Sequence, residues 1–278
     1  MSKKKFYHVA GYALLYALLI AFGFVAVLPF LWMVRSSFMG IKQIFIMPPE
    51  WIPNPFTLQN FVDVFTKTDI PKYFGNTVFV VLMNLLGVLL TSSMAAYAFS
   101  RVRWKGRDAI FTLLLSAMML PSAVTLIPVY IGWSRLGMVD SYAPLIIPAF
   151  LGGGAYNIFL MRQFLMGVPK DFEEAARIDG ANSFQIFYKI YVPIMKPSLI
   201  LVGVLNMLSA WNDYLGPLIF LQERSKYTLA LGLASFKGVY SESIVPMLCI
   251  TVIMILPPIL IFLFAQRYII EGTGGAIK

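Results

Sequence analysis

Cysteine and histidine are almost absent from this sequence: Cys249 is the one thiol and His8 the one imidazole in 278 residues. No disulfide can form within the chain, and no thiolate or histidine cluster can hold a metal. Cys249 lies in an apolar run and reads as a small hydrophobe, His8 as an interfacial residue. Charge is scarce too, at 13% of residues, about half the usual share. With no dense acidic cluster either, little remains from which to build an enzyme active site. The Gly-x-x-x-x-Gly-Lys-[Ser/Thr] phosphate loop is missing, so the chain is not itself an ATPase.

Apolar surface is what the sequence has in abundance. Hydrophobic residues are 59% and mean hydropathy is +0.77, against about 45–50% hydrophobic in globular domains. Runs of about 20 apolar residues account for the excess. Six such spans are expected, at about Val9–Val34, Gly75–Ser100, Asp108–Ile131, Tyr142–Leu165, Pro197–Leu221 and Ile244–Ala265. The first follows Lys3-Lys4-Lys5, is too long for the core of a secretory signal, and has no small-residue cleavage site after it. Pro121, Pro128, Pro144, Pro148 and Gly152-Gly153-Gly154 predict bent or broken helices in the third and fourth spans.

The net charge of +9 does not point to nucleic acid, because the basic residues sit in short segments between apolar runs. Six spans put both termini on one side. With the N-terminus inside, the larger share of the 22 Lys and Arg also falls inside, including Arg101, Arg103, Lys105 and Arg107. The expected localisation is therefore a cell membrane, inner or plasma, crossed several times, with cytoplasmic N- and C-termini. Residues 35–72, rich in proline, become an extracytoplasmic loop with short helical pieces. Residues 166–196 become a cytoplasmic loop and 266–278 a cytoplasmic tail.

The 166–196 loop is a polar island with helix punctuation. Asp171 with Glu174 three residues later predicts a capped helix start, and Ala175 and Ala176 favour helix and keep its side narrow. Gly180 predicts a left-handed stop, Asn182 or Ser183 the cap of a second helix, and Pro193 and Pro197 its end. Phe184, Phe187, Tyr188, Ile190 and Tyr191 on that second helix either enter a partner's cleft or pack on the chain's own membrane helices.

Glu174-Ala175-Ala176, Gly180, Ile190 and Val192-Pro193 stand at the spacing that marks membrane subunits of ABC importers, with Val192 in place of the usual leucine. Trp211-Asn212-Asp213-Tyr214, Pro217-Leu218 and the ending from Gln266 to Lys278 are similar to maltose-type carbohydrate permeases. The chain thus resembles the shorter, six-span permease subunit over nearly its whole length. The resemblance implies an all-α, polytopic membrane protein with six transmembrane helices and a cytoplasmic two-helix coupling loop. It implies a transport subunit rather than an enzyme, forming half of a pathway for a carbohydrate. Its partners would be a second permease subunit, two ATPase subunits that carry the ATP and Mg, and an extracytoplasmic solute-binding protein. The chain itself would hold no cofactor. Glu174, Ala175, Ala176, Asp179, Gly180, Ala181, Phe184 and Phe187 would form the ATPase-coupling surface, and the glycine-rich tail either reaches between the ATPases or frays.

Substrate-pathway candidates are Trp211, Asn212, Asp213, Tyr214 and Asn157, with Asn84 and Asn206 weaker. An ionisable group within a span is costly unless it meets water or a partner, and a sugar takes hydrogen bonds plus aromatic faces. Alternatively, Asn212 and Asp213 cap a helix bent at Gly216-Pro217, and the asparagines bond between helices. Glycerol phosphate or polyol transport by the same architecture, and an ion-coupled transporter working without ATP, are the competing functions. The latter predicts internal repeats and a buried charge pair, neither of which is evident.

Overall fold

A computed structural model describes the backbone of residues 3–236 and 244–274 and the side chains of 11–236 and 244–267. Among them there is helix and no strand, as the apolar spans require: in lipid, a spanning segment must satisfy its own backbone. Four helices are long and apolar enough to cross a membrane, and two bent helix pairs bring the number to six if each pair is one span. The chain divides into two compact units, Met1–Thr68 with Phe236–Ile255, and Asp69–Ser235 with Leu256–Lys278.

In the first unit, α1 (Lys3–Ser37) is followed by α2 (Ile41–Ile44) and α3 (Gln59–Lys67). The proline-rich stretch between them is tied down. Asn60 Nδ2 donates to the carbonyls of Ser37 and Met39, both at 2.9 Å. Gln43 Nε2 donates to the Asn54 carbonyl at 2.9 Å, and Phe38 stacks on Phe56 at 4.8 Å. Residues 35–72 are thus not all loop: α1 runs on to Ser37, and the next helix begins at Ile70, where Pro71 suits a first-turn position that needs no N–H donor.

The second unit is built on that helix, α4 (Ile70–Ser100). It is followed by α5 (Arg107–Ala117), α6 (Ser122–Arg135), α7 (Ala143–Phe150) and α8 (Ala155–Met166), of which α5, α7 and α8 pack on it. Then come α9 (Asp171–Ile178), α10 (Ser183–Ile186), a π-turn over Phe187–Tyr191, and α11 (Val192–Ile194). α12 (Lys196–Trp211), α13 (Leu215–Phe220) and α14 (Leu229–Ser235) complete it. Some of the proline signals are realised as breaks, but Pro128 lies inside α6 and Pro144 in the first turn of α7. α5 and α6 meet at 99° ahead of Pro121, so the third span is not one helix. The fourth is interrupted after Pro148 by Gly152, Gly153 and Gly154, all at positive φ. The fifth ends at Trp211 and resumes at Leu215, and α12 meets the helical segment before it at 74°.

Small residues on α4 let the broken fourth span approach closely. Thr91 Oγ1 lies 2.9 Å from the Ala149 carbonyl, Asn84 Nδ2 donates to the Leu145 carbonyl at 2.9 Å, and Ser92 is fully buried. α15 (Ile244–Gly274) contributes its first part to one unit and its second to the other. The boundary expected at Gln266 is therefore not an element end, because the helix continues through it. The last residues of the tail, 275–278, and the side chains from 268 onward lie outside the described residues.

Candidate functional site

The polar island folds as two short helices closed by specific backbone bonds. The helix start differs from the expected cap. Lys170 is the N-cap, Asp171 is the first helical residue, and no side chain caps α9. Asp171, Glu173 and Glu174 instead all lie in the first turn, where the helix dipole favours negative charge. Glu173 pairs with Arg177 at 2.7 Å, one turn on. At the other end Gly180 has φ +81°, the Ala181 N–H donates to the Ala176 carbonyl at 2.9 Å, and the Gly180 N–H donates to Arg177 at 3.1 Å. This is a Schellman closure that needs a left-handed residue at position 180. Asn182 then opens α10 with a reciprocal capping box with Gln185, 2.9 Å in both directions.

Helical geometry divides the aromatic residues between the two alternatives. Phe187 and Tyr191, one turn apart, are buried, and both rings lie 5.3 Å from Tyr97 on α4. Phe184 and Tyr188, also one turn apart, are 68% and 64% exposed. Of the residues expected at the coupling surface, Glu174, Ala175, Asp179, Gly180 and Phe184 are exposed and Ala181 is half-buried. Ala176 and Phe187 are buried in the chain's own packing, so neither offers its side chain to a partner. Phe187 follows its face of the helix inward. A depression of about 320 Å³ lies between the helices, bordered by Asp179, Gly180, Ala181, Gln185 and Lys189. Exposed Phe172 and Ile178 join this surface and were not singled out from the sequence. Ile178, two positions from the buried Ala176, stands on the opposite side of α9, which was an available signal; Phe172 stands one turn before Ala176, and periodicity gave none for it.

The second candidate lies at the α12–α13 break. Asp213 Oδ1 accepts the Gly216 N–H at 3.0 Å, which caps α13, and the same residue lines a cavity of about 220 Å³. Thr77 and Asn84 of α4, with Asn206 and Ser209 of α12, supply further polar walls. Capping and lining thus coexist in Asp213. Asn212 Nδ2 bonds back to the Leu208 carbonyl at 2.8 Å, Trp211 is buried with its ring edge on Phe74 at 5.7 Å, and Tyr214 is 42% exposed. None of these three lines the cavity. Asn157 does not reach it either, because its amide donates to the Gly153 carbonyl at 2.7 Å within the glycine break. Asn206 is better placed than expected: its Oδ1 is buried with no hydrogen-bond partner. Ser209 and Thr77 were missed, since one hydroxyl in an apolar run carries no distinguishing signal.

A clasp joins the α6–α7 and α13–α14 connections. Asp140, at φ 60°, donates its N–H to the Phe220 carbonyl at 2.7 Å. Its Oδ1 accepts the N–H groups of Gln222 and Glu223, both at 2.9 Å, and its Oδ2 takes the Lys226 ammonium at 2.8 Å. The Glu223 N–H, then Lys226 and the Gln222 N–H, hold the carboxyl down at about 2. A depressed carboxyl contributes stability that is present above its ordinary value of 3.8 and lost as pH falls through about 2. Asp140→Asn is therefore expected to unfold at lower temperature than the parent at pH 7, with the gap closing below pH 4. A gap that stays constant down to pH 2.5 in a thermal melt of the purified protein removes the ionised clasp.

The family described as "Binding-protein-dependent transport system inner membrane component" matches residues 87–273. The arabinooligosaccharides transport system permease protein AraQ of Halalkalibacterium halodurans is 36% identical over 265 residues, covering 92% of each chain. The lactose transport system permease protein LacG of Rhizobium radiobacter is 31% identical, covering 95% of each. The diacetylchitobiose uptake system permease protein NgcG of Streptomyces coelicolor is 28% identical, over 92% of this chain and 85% of its own. A crystal structure of a bacterial ABC transporter that imports the acidic polysaccharide alginate shares the fold. Its TM-score is 0.84 at 24% identity, over 97% of this chain and 98% of that one.

Proposed function

This chain belongs to the family of binding-protein-dependent transport system inner membrane components, and from that membership we propose that it is a permease subunit of an ATP-driven importer for a carbohydrate. The observation that carries the reading is the α9–Gly180–α10 knob. It is closed by backbone bonds on its own, yet it presents Glu174, Asp179, Phe172, Ile178 and Phe184 outward. The knob docks an ATPase subunit in the cytoplasm, and the ATP and Mg reside there. A second permease subunit completes the pathway, and an extracytoplasmic binding protein delivers the solute. The transport names of the relatives, arabinooligosaccharide, lactose and diacetylchitobiose, support an oligosaccharide as cargo.

The test is reconstitution. The tagged chain, co-expressed with the other subunits, is expected to retain an ATPase through purification. In proteoliposomes with the binding protein it is expected to take up labelled oligosaccharide only when ATP is present on the knob side. Failure to recover an ATPase, or uptake down a gradient by the isolated chain, overturns the reading. Uptake of glycerol phosphate in preference to oligosaccharide moves the cargo to the polyol class.

The cavity under Asp213 is the proposed point of solute contact, where hydroxyls and carboxamides can bond a sugar without its water shell. Asn206→Leu is of similar size and removes an acceptor that has no partner among the described residues, so stability is expected to hold. Uptake is expected to fall by up to about tenfold, the value of one hydrogen bond to solute. Unchanged uptake in that variant takes the cavity out of the pathway.

A further inference from the structure

Arg101 stands at the C-terminal end of α4 and is 9% exposed. A guanidinium buried to this degree at the end of an apolar helix is expensive unless its charge is used. Its Nη2 donates to two carbonyls, that of Leu165 in the last turn of α8 and that of Val168 beyond it, the latter at 2.6 Å. The Leu165 carbonyl belongs to the last turn of α8, where carbonyls lack ordinary intrahelical partners, and it also accepts the Val168 N–H at 3.0 Å. The plane of the same guanidinium lies 5.0 Å from the centre of the Tyr191 ring.

Tyr191 is the meeting point of the network. Its ring is fully buried between Arg101 and Tyr97, the residue one turn earlier on α4. Its hydroxyl donates to Glu173 Oε2 at 3.3 Å, and Glu173 is held by Arg177. The exposed helix α9 is thus connected through Glu173, Tyr191 and Arg101 to the end of α4 and the end of α8. Tyr191 closes the π-turn, a local widening of the helix that sits one residue ahead of Val192-Pro193. Pro193 has no N–H for the Lys189 carbonyl, so one helical bond is missing beside the π-turn. At its other end α4 contributes Thr77 and Asn84 to the Asp213 cavity. Asn84 and Arg101 are separated by about 25 Å of helix at 1.5 Å per residue.

We infer that Arg101, stacked on Tyr191 and bonded to the α8 terminus, is a positioning residue that converts displacement of the knob into movement of α4 at the cavity. The inference rests on the proposed docking of an ATPase to the knob. The property that suits the side chain to the role is a flat cation that stacks on Tyr191 while one of its nitrogens, Nη2, reaches two carbonyls. Lysine keeps the donors but has no plane to stack. Removing the guanidinium breaks no bond to Glu174 or Asp179 among the described residues, and both stay exposed, although Glu174 borders the same surface pocket as Arg101. The expected defect is therefore uncoupling, not loss of docking.

The decisive measurement is solute transported per ATP hydrolysed by the full reconstituted complex, after equal recovery of all subunits. Arg101→Gln and Arg101→Lys are expected to keep ATP hydrolysis within about twofold of the parent, while the transport ratio falls at least fivefold. Tyr191→Phe keeps the ring and loses the bond to Glu173. It is expected to lower the ratio by a smaller factor and to add nothing when combined with Arg101→Gln, since the two act in series. A parental ratio in the arginine variants overturns the inference, as does a parallel fall of hydrolysis and transport. If Arg101→Gln does not assemble, the Arg101→Lys and Tyr191→Phe ratios decide by the same criteria. Failure of the parent chain to bind an ATPase is a separate result and defeats the docking reading instead.

Discussion

Glu174→Lys is expected to abolish ATP-driven uptake, by at least tenfold, while the permease still folds and inserts. The Glu174 side chain is exposed and makes no hydrogen bond or ion pair among the described residues. Its contribution to the isolated chain is limited to the favourable placement of an anion in the first turn of α9, on the order of 0.3–1 kcal/mol. A cost of that size cannot unfold the protein. At a docked surface the reversal leaves a cation against a site arranged for an anion, and truncating or reversing such a contact costs about 2–5 kcal/mol. Co-purification of the ATPase and uptake are measured in the same membranes, with Glu174→Gln as the graded case. A lysine variant that retains both has no ATPase at this surface.

Gly153→Val is expected to cause a large loss of monodisperse folded protein. A Cβ at this position lies 2.9 Å from the Val88 carbonyl oxygen, from Ser92 Cβ and from Thr91 Oγ1. These atoms belong to the packed face of α4, and a backbone carbonyl cannot move aside without disturbing that helix. The residue also has φ +69°, where a side chain is strained. Overpacking and the left-handed backbone together are worth about 2–5 kcal/mol. The neighbouring Gly152 is an internal control, because it too has positive φ, +120°, but its Cβ meets nothing within 4 Å. Recovery is expected in the order Gly152→Ala, Gly153→Ala, Gly153→Val, best first, by fluorescence-detected size exclusion. Equal recovery of the two alanine variants means that the close approach to α4 carries no weight.

Much of this architecture was legible in the sequence for reasons of solvent. Runs of about 20 apolar residues have few soluble alternatives, so the membrane class and the apolar spans follow from composition and length. The knob was legible because its signals are local. Gly180 and the Asn182 cap act within one helical turn, and both form as expected, while the reciprocal bond from Gln185 was not foreseen. Asp171 shows the limit of that reasoning. Lys170 already has helical geometry, so the acid falls inside the first turn and serves the dipole instead of the cap.

Residues near one another in sequence parted company in space. Phe184 and Phe187 carry the same chemistry three positions apart, and one is exposed while the other packs on Tyr97. Which side of a short helix faces inward depends on what it lies against, and α4 is more than eighty residues away in sequence. Asn157 and Asn206 parted for the same reason: one closes a glycine break, the other faces the Asp213 cavity.

The amino-acid sequence by itself determined that the chain lives in a membrane as helices, that it lacks a phosphate-loop motif and a cysteine or histidine cluster, and that a capped polar knob interrupts its apolar runs. Those properties depend on transfer free energy and on hydrogen bonds within a turn, both of which act locally. Only the tertiary structure decided that Arg101, Tyr191 and Glu173 form one connection, that Asp213 shares a cavity with Asn206 and Thr77, and that Asp140 clasps two distant loops. Each of these joins residues from segments distant in sequence, and the partners of a buried polar group are chosen by packing, which no local pattern encodes.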